Sequence, residues 1–200
     1  MVIFMAIGAV DRILGGRLGL GEQFEEGITA MGSLALSMVG IICLAPVLSR
    51  VLGPVVTPVY RLLGADPAMF AGTILANDMG GAPLAQELAL TPEAGRFAGL
   101  IVASMLGATI VFTIPVGLGI IRAEDRPYLA SGVLAGVITV PVGSFAGGVL
   151  AGFPVGMVLR NLIPIAVIAV LIALGLWLIP NGMVKGFQVF GKAVVIVITI

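Results

Sequence analysis

In Asp66-Pro67-Ala68-Met69-Phe70-Ala71-Gly72-Thr73-Ile74-Leu75-Ala76-Asn77-Asp78-Met79-Gly80-Gly81-Ala82-Pro83-Leu84-Ala85-Gln86-Glu87-Leu88-Ala89-Leu90-Thr91-Pro92, helix starts and one interruption follow each other within 27 residues. Asp66-Pro67 is a start: a capping carboxylate, then proline at the first helical position, where its missing N–H costs nothing. Residues 67–77 span about 16 Å as a helix, half a bilayer. Two adjacent glycines then weaken any helix and let backbone or ligand come close. Pro83 starts a second short helix over 83–90, and Thr91-Pro92 repeats the cap-and-proline signal. The spacing predicts helix, break, helix, as a broken crossing or a re-entrant hairpin.

The rest of the chain puts this break in a membrane. Of 200 residues, 60% are apolar and 10% charged, with mean hydropathy +1.22. A soluble domain carries about 25% charged residues, so this chain cannot cover a water-facing surface. A membrane helix needs about 20 mostly apolar residues. Residues 27–49, 97–121, 128–150 and 161–184 meet that length without a charge, the last closing on the turn signal Pro180-Asn181-Gly182. Phe153-Pro154-Val155-Gly156 separates the last two. Residues 1–10, before Asp11-Arg12, and 193–200 form shorter apolar runs read as parts of further crossings. The fold expected is all-α: one polytopic membrane domain over 1–200 with about five to six membrane helices plus the broken or re-entrant pair. The short runs at both ends suggest the N-terminal part of a longer protein. Arginines and lysines are spread so evenly that orientation stays open.

Composition also excludes chemistry. Ten basic and ten acidic residues cancel, leaving no field for nucleic acid. The chain has no histidine, which removes histidine-based triads and most zinc sites. No HExxH and no serine with a basic partner suggests an enzyme, and no cofactor is expected. Cys43 is the one cysteine. Met31, Met38, Met69 and Met79 read as packing fillers rather than metal ligands.

Small residues recur four apart at Gly132/Gly136, Gly143/Gly147 and Gly148/Gly152/Gly156, the spacing that lets membrane helices approach closely. Thr113-Ile114-Pro115-Val116-Gly117 is echoed by Thr139-Val140-Pro141-Val142-Gly143. Each proline is expected to kink its helix, either facing a pathway or as packing geometry. Trp177 reads as a headgroup anchor and Asp11-Arg12 as an interface marker. Glu22, Glu25 and Glu26 suit a solvated loop or a cation-attracting vestibule.

If the first half-helix starts at the interface, Asn77 and Asp78 fall near the bilayer centre. A carboxylate there costs roughly 2.5–3.5 kcal/mol on insertion scales, which a cationic ligand can offset. Broken helices at the midplane form binding sites in transporters. Asn-Asp-x-Gly-Gly is equally an ordinary surface turn, if 67–90 lies along the interface.

At Leu63-Gly64-Ala65-Asp66-Pro67-Ala68-Met69-Phe70-Ala71-Gly72-Thr73 and Leu75-Ala76-Asn77-Asp78-Met79-Gly80-Gly81 the sequence resembles the ethanolamine permease family of the bacterial ethanolamine-utilisation (Eut) system. Gly21-Glu22-Gln23-Phe24-Glu25-Glu26-Gly27, Met31-Gly32-Ser33-Leu34-Ala35-Leu36-Ser37-Met38-Val39-Gly40, Leu44-Ala45-Pro46-Val47-Leu48, Leu52-Gly53-Pro54-Val55, Tyr128-Leu129-Ala130 and Gly132-Val133-Leu134-Ala135-Gly136 match in the same order. The resemblance implies ethanolamine uptake across the bacterial cytoplasmic (inner) membrane, a longer chain with further membrane helices after residue 200, and a small-molecule partner. It leaves a homo-oligomer open.

Ethanolamine presents an ammonium and a hydroxyl, so its site needs an anion or aromatic face and a hydrogen-bonding partner. Asp78 is assigned to the ammonium and Asn77 to the hydroxyl. Gly80 and Gly81 allow close approach, and Thr73, four before Asn77, would share its helix face. Glu87, beside Gln86, is a second pathway carboxylate or an interfacial residue. The alternative to a permease is a non-transporting membrane half-subunit or scaffold that acts only when assembled with further helices.

Overall fold

The computed structural model describes residues 2–199, and their side chains except at 30, 32–38, 40–42, 44 and 195–199. The side chains of 32–38, Met38 among them, and much of the run 193–200 therefore lie outside the described residues. The chain divides into two compact units, Met1–Cys43 and Leu44–Ile200. Among the described residues it is helical, with no strand.

The first unit holds α1 (Val2–Ile13) and the first part of α2 (Leu20–Leu62). Asp11 is an organising residue here rather than only the interface marker expected. Its carboxylate accepts backbone N–H bonds from Leu18, Leu20 and Gly21, each at 2.9 Å, and it is 3% exposed. The Leu18 N–H leads in holding this carboxyl below the ordinary aspartate value; burial works against it, and the Gly21 and Leu20 N–H groups add to the lowering. Arg12 pairs with Glu25, so Glu25 is a partner within this unit.

The second unit holds the rest of α2, then α3 (Ala68–Ile74), α4 (Ala82–Leu88), α5 (Pro92–Ile120), α6 (Arg126–Leu150), α7 (Val155–Leu178) and α8 (Pro180–Thr199). Among the described residues, three helices are long and apolar enough to cross a membrane: Pro92–Ile120, Ala123–Leu150 and Val155–Leu178. These correspond to the expected crossings at 97–121, 128–150 and 161–184. The last starts six residues earlier than expected, because Pro154 supplies the start. It ends at Leu178, where Ile179 leaves helical geometry (φ −138°, ψ 58°). Pro180 then opens α8 instead of closing a helix, a use of proline at the first helical position. Helix α2 continues past Ser49 to Leu62 through Pro46, Pro54 and Pro58.

Helix α5 is unevenly wound. Phe97–Gly107 and Thr109–Thr113 carry i→i+5 hydrogen bonds, and ordinary α winding returns at Ile114, next to Pro115. Such widened turns are rare and often sit at functional sites. The core of the unit gathers Met69, Leu84 and Ala85 of α3 and α4, Phe97 and Val102 of α5, and Val158 and Ile165 of α7. A smaller cluster joins Ile114, Ala130, Leu134 and Phe187. The short helices α3 and α4 are thus packed against α5 and α7 in the core of this unit.

The glycine stripe of α6 is used only in part. A side chain at Gly143, Gly147 or Gly148 would meet Met105, Ile101 or Phe97 of α5. At Gly132 and Gly136 no described atom lies within 4 Å of that position. There a groove of about 540 Å³ runs between α5 and α6, lined by Thr113 and Thr139 of the two echoed segments among others.

Candidate functional site

The 66–92 stretch folds back on itself. Helices α3 and α4 pack side by side, and their outer ends meet at Asp66. The Asp66 carboxylate accepts the Ala68 N–H at 2.9 Å, which caps α3. It also accepts the Leu90 N–H, at 3.0 Å to Oδ2. Of the two forms the spacing allowed, the backbone takes the hairpin. The Asp66 N–H donates to Asn161 Oδ1 at 2.7 Å, fastening the base to α7. Asp66 is 9% exposed and Asn161 4%. Thr91 caps α5 as expected, its hydroxyl oxygen accepting the Ala94 N–H.

The tip is an open break. Leu75 (φ −123°, ψ 139°) and Ala76 (φ −65°, ψ 150°) are extended. Met79 leaves helical geometry and Gly80 takes φ 89°, a left-handed conformation that glycine adopts without strain. The Ala76 carbonyl accepts N–H bonds from Met79 and Gly81, and the Asn77 carbonyl accepts one from Ala82. The tip rests against α5 at Gly107, the middle of that 29-residue helix. A side chain at Gly107 would strike the Leu75 carbonyl, and one at Gly72 the Ala98 carbonyl. These contacts require backbone against backbone, which only glycine permits.

The sequence-derived residues divide between tip and base. Asp78 is exposed at the tip, and among the described residues it has no hydrogen bond or ion pair. Asn77 beside it is half-buried, and Gly80 and Gly81 are buried. Thr73 lies one short step back in α3, its hydroxyl donating to the Phe70 carbonyl at 2.8 Å. Because α3 stops at Ile74 rather than running to Asn77, Thr73 and Asn77 do not share a helical face. Glu87 is exposed near the opposite end of α4 from the tip, and its backbone carbonyl accepts the Ser49 hydroxyl at 3.2 Å. The hairpin therefore places Asp78, Asn77, Gly80 and Gly81 together and sets Glu87 apart. Among the described residues, no group of three or more Cys, Asp or Glu is placed to hold a metal.

Sequence reasoning gave Asp66 a capping role and missed its second task, joining the hairpin ends. It also passed over Asn161, taken only as the edge of a crossing. The available signal was an amide at the start of an otherwise uncharged run, since polar groups there need partners. Neither Gly72 nor Gly107 was singled out.

Over residues 1–200 the chain matches the model of the family described as "Ethanolamine utilisation protein, EutH". It is 66% identical over 200 residues to the "Probable ethanolamine permease EutH" of Listeria monocytogenes serotype 1/2a (strain 10403S), covering 100% of this chain and 54% of the relative. It is 53% identical to the protein of the same name from Salmonella typhimurium (strain LT2), covering 100% and 56%. It is 52% identical to the "Uncharacterized protein YxeR" of Bacillus subtilis (strain 168), covering 97% and 52%. The chain thus spans about half the length of the curated relatives it matches. No solved structure matches it. Relatives named as permeases and three helices long and apolar enough to cross a membrane together support an integral membrane protein.

Proposed function

We infer that this chain, which belongs to the family of the ethanolamine utilisation protein EutH, serves the permeation of ethanolamine through a bacterial inner membrane. The observation that carries this is the match along the whole chain, at 66% identity, to a relative named as a probable ethanolamine permease. In this reading α2, α8 and, as part of a crossing that ends before Asp11 at the interface, the apolar residues 2–10 add to the three long apolar helices, giving the five to six crossings expected. The protein is a carrier and not an enzyme.

The site proposed is the hairpin tip. Asp78 takes the ammonium and Asn77 the hydroxyl, with Gly80 and Gly81 leaving room for close approach and Thr73 nearby. Glu87 is a second carboxylate on the route at the hairpin's other end. What supports this is a carboxylate without a partner among the described residues, next to the non-helical backbone of Met79 and Gly80, on a tip whose Leu75 meets the middle of α5. A charge in that position needs a counter-charge, and the carbonyl end of α3 adds partial negative charge close by. Four heavy atoms at a ceiling of about −1.5 kcal/mol each give about −6 kcal/mol, a dissociation constant no better than tens of micromolar. That suits a protein that must release what it binds.

The test is uptake of labelled ethanolamine into liposomes holding the chain, against protein-free liposomes. It runs at acidic pH, where little neutral amine leaks through lipid. Flux above the leak, abolished at low concentration by Asp78→Asn with the variant still inserted, is the expected result. Normal uptake by that variant removes Asp78 from the mechanism. The relatives' greater length favours a second reading, in which the hairpin belongs to a half-subunit. Flux that arises only when the remaining helices of a relative are supplied selects it.

A further inference from the structure

At the base of the hairpin, away from Asp78, a cavity of about 660 Å³ is lined by Arg61, Asp66, Thr91, Gly156, Arg160 and Asn161 among others. We propose that this cavity binds a phosphate group, carried by an anionic phospholipid headgroup or free as inorganic phosphate. The inference does not depend on which substrate the tip carries.

The donor set makes the case. Arg61 and Arg160 form no ion pair among the described residues. Arg160 Nε donates to the Gly64 carbonyl, which holds the guanidinium at the cavity and leaves its terminal nitrogens free. Asp66, the acid in the lining, spends its carboxylate on the Ala68 and Leu90 N–H groups. Asn161 has its oxygen committed to the Asp66 N–H, which leaves its NH2 group to donate. The Thr91 oxygen accepts from Ala94, which leaves its proton to donate. Two guanidinium forks, an amide and a hydroxyl thus face a space with few uncommitted acceptors. The complement is an anion rich in acceptor oxygens, and guanidinium forks match phosphate geometry.

Location supports the same ligand. The lining comes from the end of α2 and from the starts of α3, α5 and α7. Two of those helices are long enough to cross a membrane, so the cavity lies at the level where headgroup phosphates lie. Basic pockets at that level are known lipid-headgroup sites in membrane proteins.

The experiment uses the chain purified in mild detergent from membranes containing phosphatidylglycerol, with bound lipid read by native mass spectrometry. A second arm titrates lipid-stripped protein with inorganic phosphate and reads thermal stability. Arg61→Gln disturbs no hydrogen bond among the described residues, so its fold is kept; the double variant with Arg160→Gln is the stronger probe. Arg96→Gln, an exposed arginine in the first turn of α5 outside the cavity lining, controls for charge at the surface. Retained phosphatidylglycerol is expected to fall at least about tenfold in the double variant, less in Arg61→Gln, and to stay unchanged in Arg96→Gln. Stabilisation by inorganic phosphate that Arg61→Gln abolishes, without lipid retention, supports the site with free phosphate as its source. The proposal is overturned if neither probe binds, if Arg61→Gln and the double variant bind as the unaltered chain does, or if Arg96→Gln loses as much.

Discussion

The two ends of the hairpin each carry an aspartate, and the two are treated in opposite ways. At the base, Asp66 is buried and both of its oxygens accept backbone N–H groups from two separate segments. At the tip, Asp78 is exposed, and no partner engages it among the described residues. One carboxylate is consumed in closing the hairpin; the other is left over. The supports differ as well. Polar bonds fasten the base to α7, whereas the tip is seated on α5 by backbone contact at glycine. A fold that spends one acid on its own architecture and leaves the next one unmatched separates an acid that stability needs from one that it does not along a single short element.

That separation breaks most sharply in a pair of alanine variants. Asp66→Ala leaves the buried Ala68 N–H without its acceptor, at about 1–3 kcal/mol for an unsatisfied buried group, and removes the part-buried bond from the Leu90 N–H as well. A loss of about 2–4 kcal/mol in unfolding free energy is expected, measured by denaturation in detergent. Asp78→Ala removes no bond and should stay within about 0.5 kcal/mol of the unaltered chain. Equal losses in the two would mean that the tip carboxylate is also structural.

The seat of the tip gives the next largest effect. Gly107→Ala forces a methyl group against the Leu75 carbonyl, and overpacking of this kind costs about 1–3 kcal/mol. Gly132→Ala on α6 faces open space and should instead gain up to about 1 kcal/mol from better helix propensity. Thermal denaturation of the two variants side by side checks both signs. A tolerated Gly107→Ala would show that α5 and the hairpin are not in backbone contact.

Smaller again is Gly80→Ala. A residue with a side chain at φ 89° pays about 1–2 kcal/mol for the left-handed conformation. If Asp78 works at the tip, this variant should also weaken ethanolamine uptake more than its stability loss explains. Uptake measured at matched amounts of folded protein separates the two effects.

How far these features could be read from sequence follows from how local their causes are. The break was legible because Gly80-Gly81 and the prolines at 67, 83 and 92 act on their own backbone. The joining of the hairpin was not, since Asp66 meets Leu90 and Asn161, 24 and 95 positions away, and nothing at Asp66 names either partner. Proline also misled in both directions. Read at 180 as part of a turn that closes a helix, it starts α8 instead, and Pro54 and Pro58 stand inside α2 beyond the expected end of that crossing at Ser49. The freed carbonyls of an apolar helix can find other partners, so a proline's effect depends on neighbours that the sequence does not reveal. The i→i+5 winding of α5 left no trace in its uniformly apolar run. The Gly132/Gly136 spacing pointed to close packing that this chain does not make there, because spacing records which faces could meet and not which do.

Asp11, in the first unit, extends the contrast to a third aspartate and gives the smallest effect. Like Asp66 it is spent on backbone, but its three donors all lie within ten residues after it, at Leu18 of the turn and at Leu20 and Gly21, which open α2. Those bonds favour the charged form, so its folded pKa lies below the ordinary aspartate value. A lowered pKa stabilises the folded form fully above the unfolded value. The contribution then shrinks as pH falls through the ordinary aspartate range and is gone below the folded pKa. Stability followed from neutral to acidic pH should therefore lose an acid-dependent component in Asp11→Asn, whose amide cannot titrate. An unchanged acid profile in Asp11→Asn would show that the three backbone bonds do not favour the charged carboxylate.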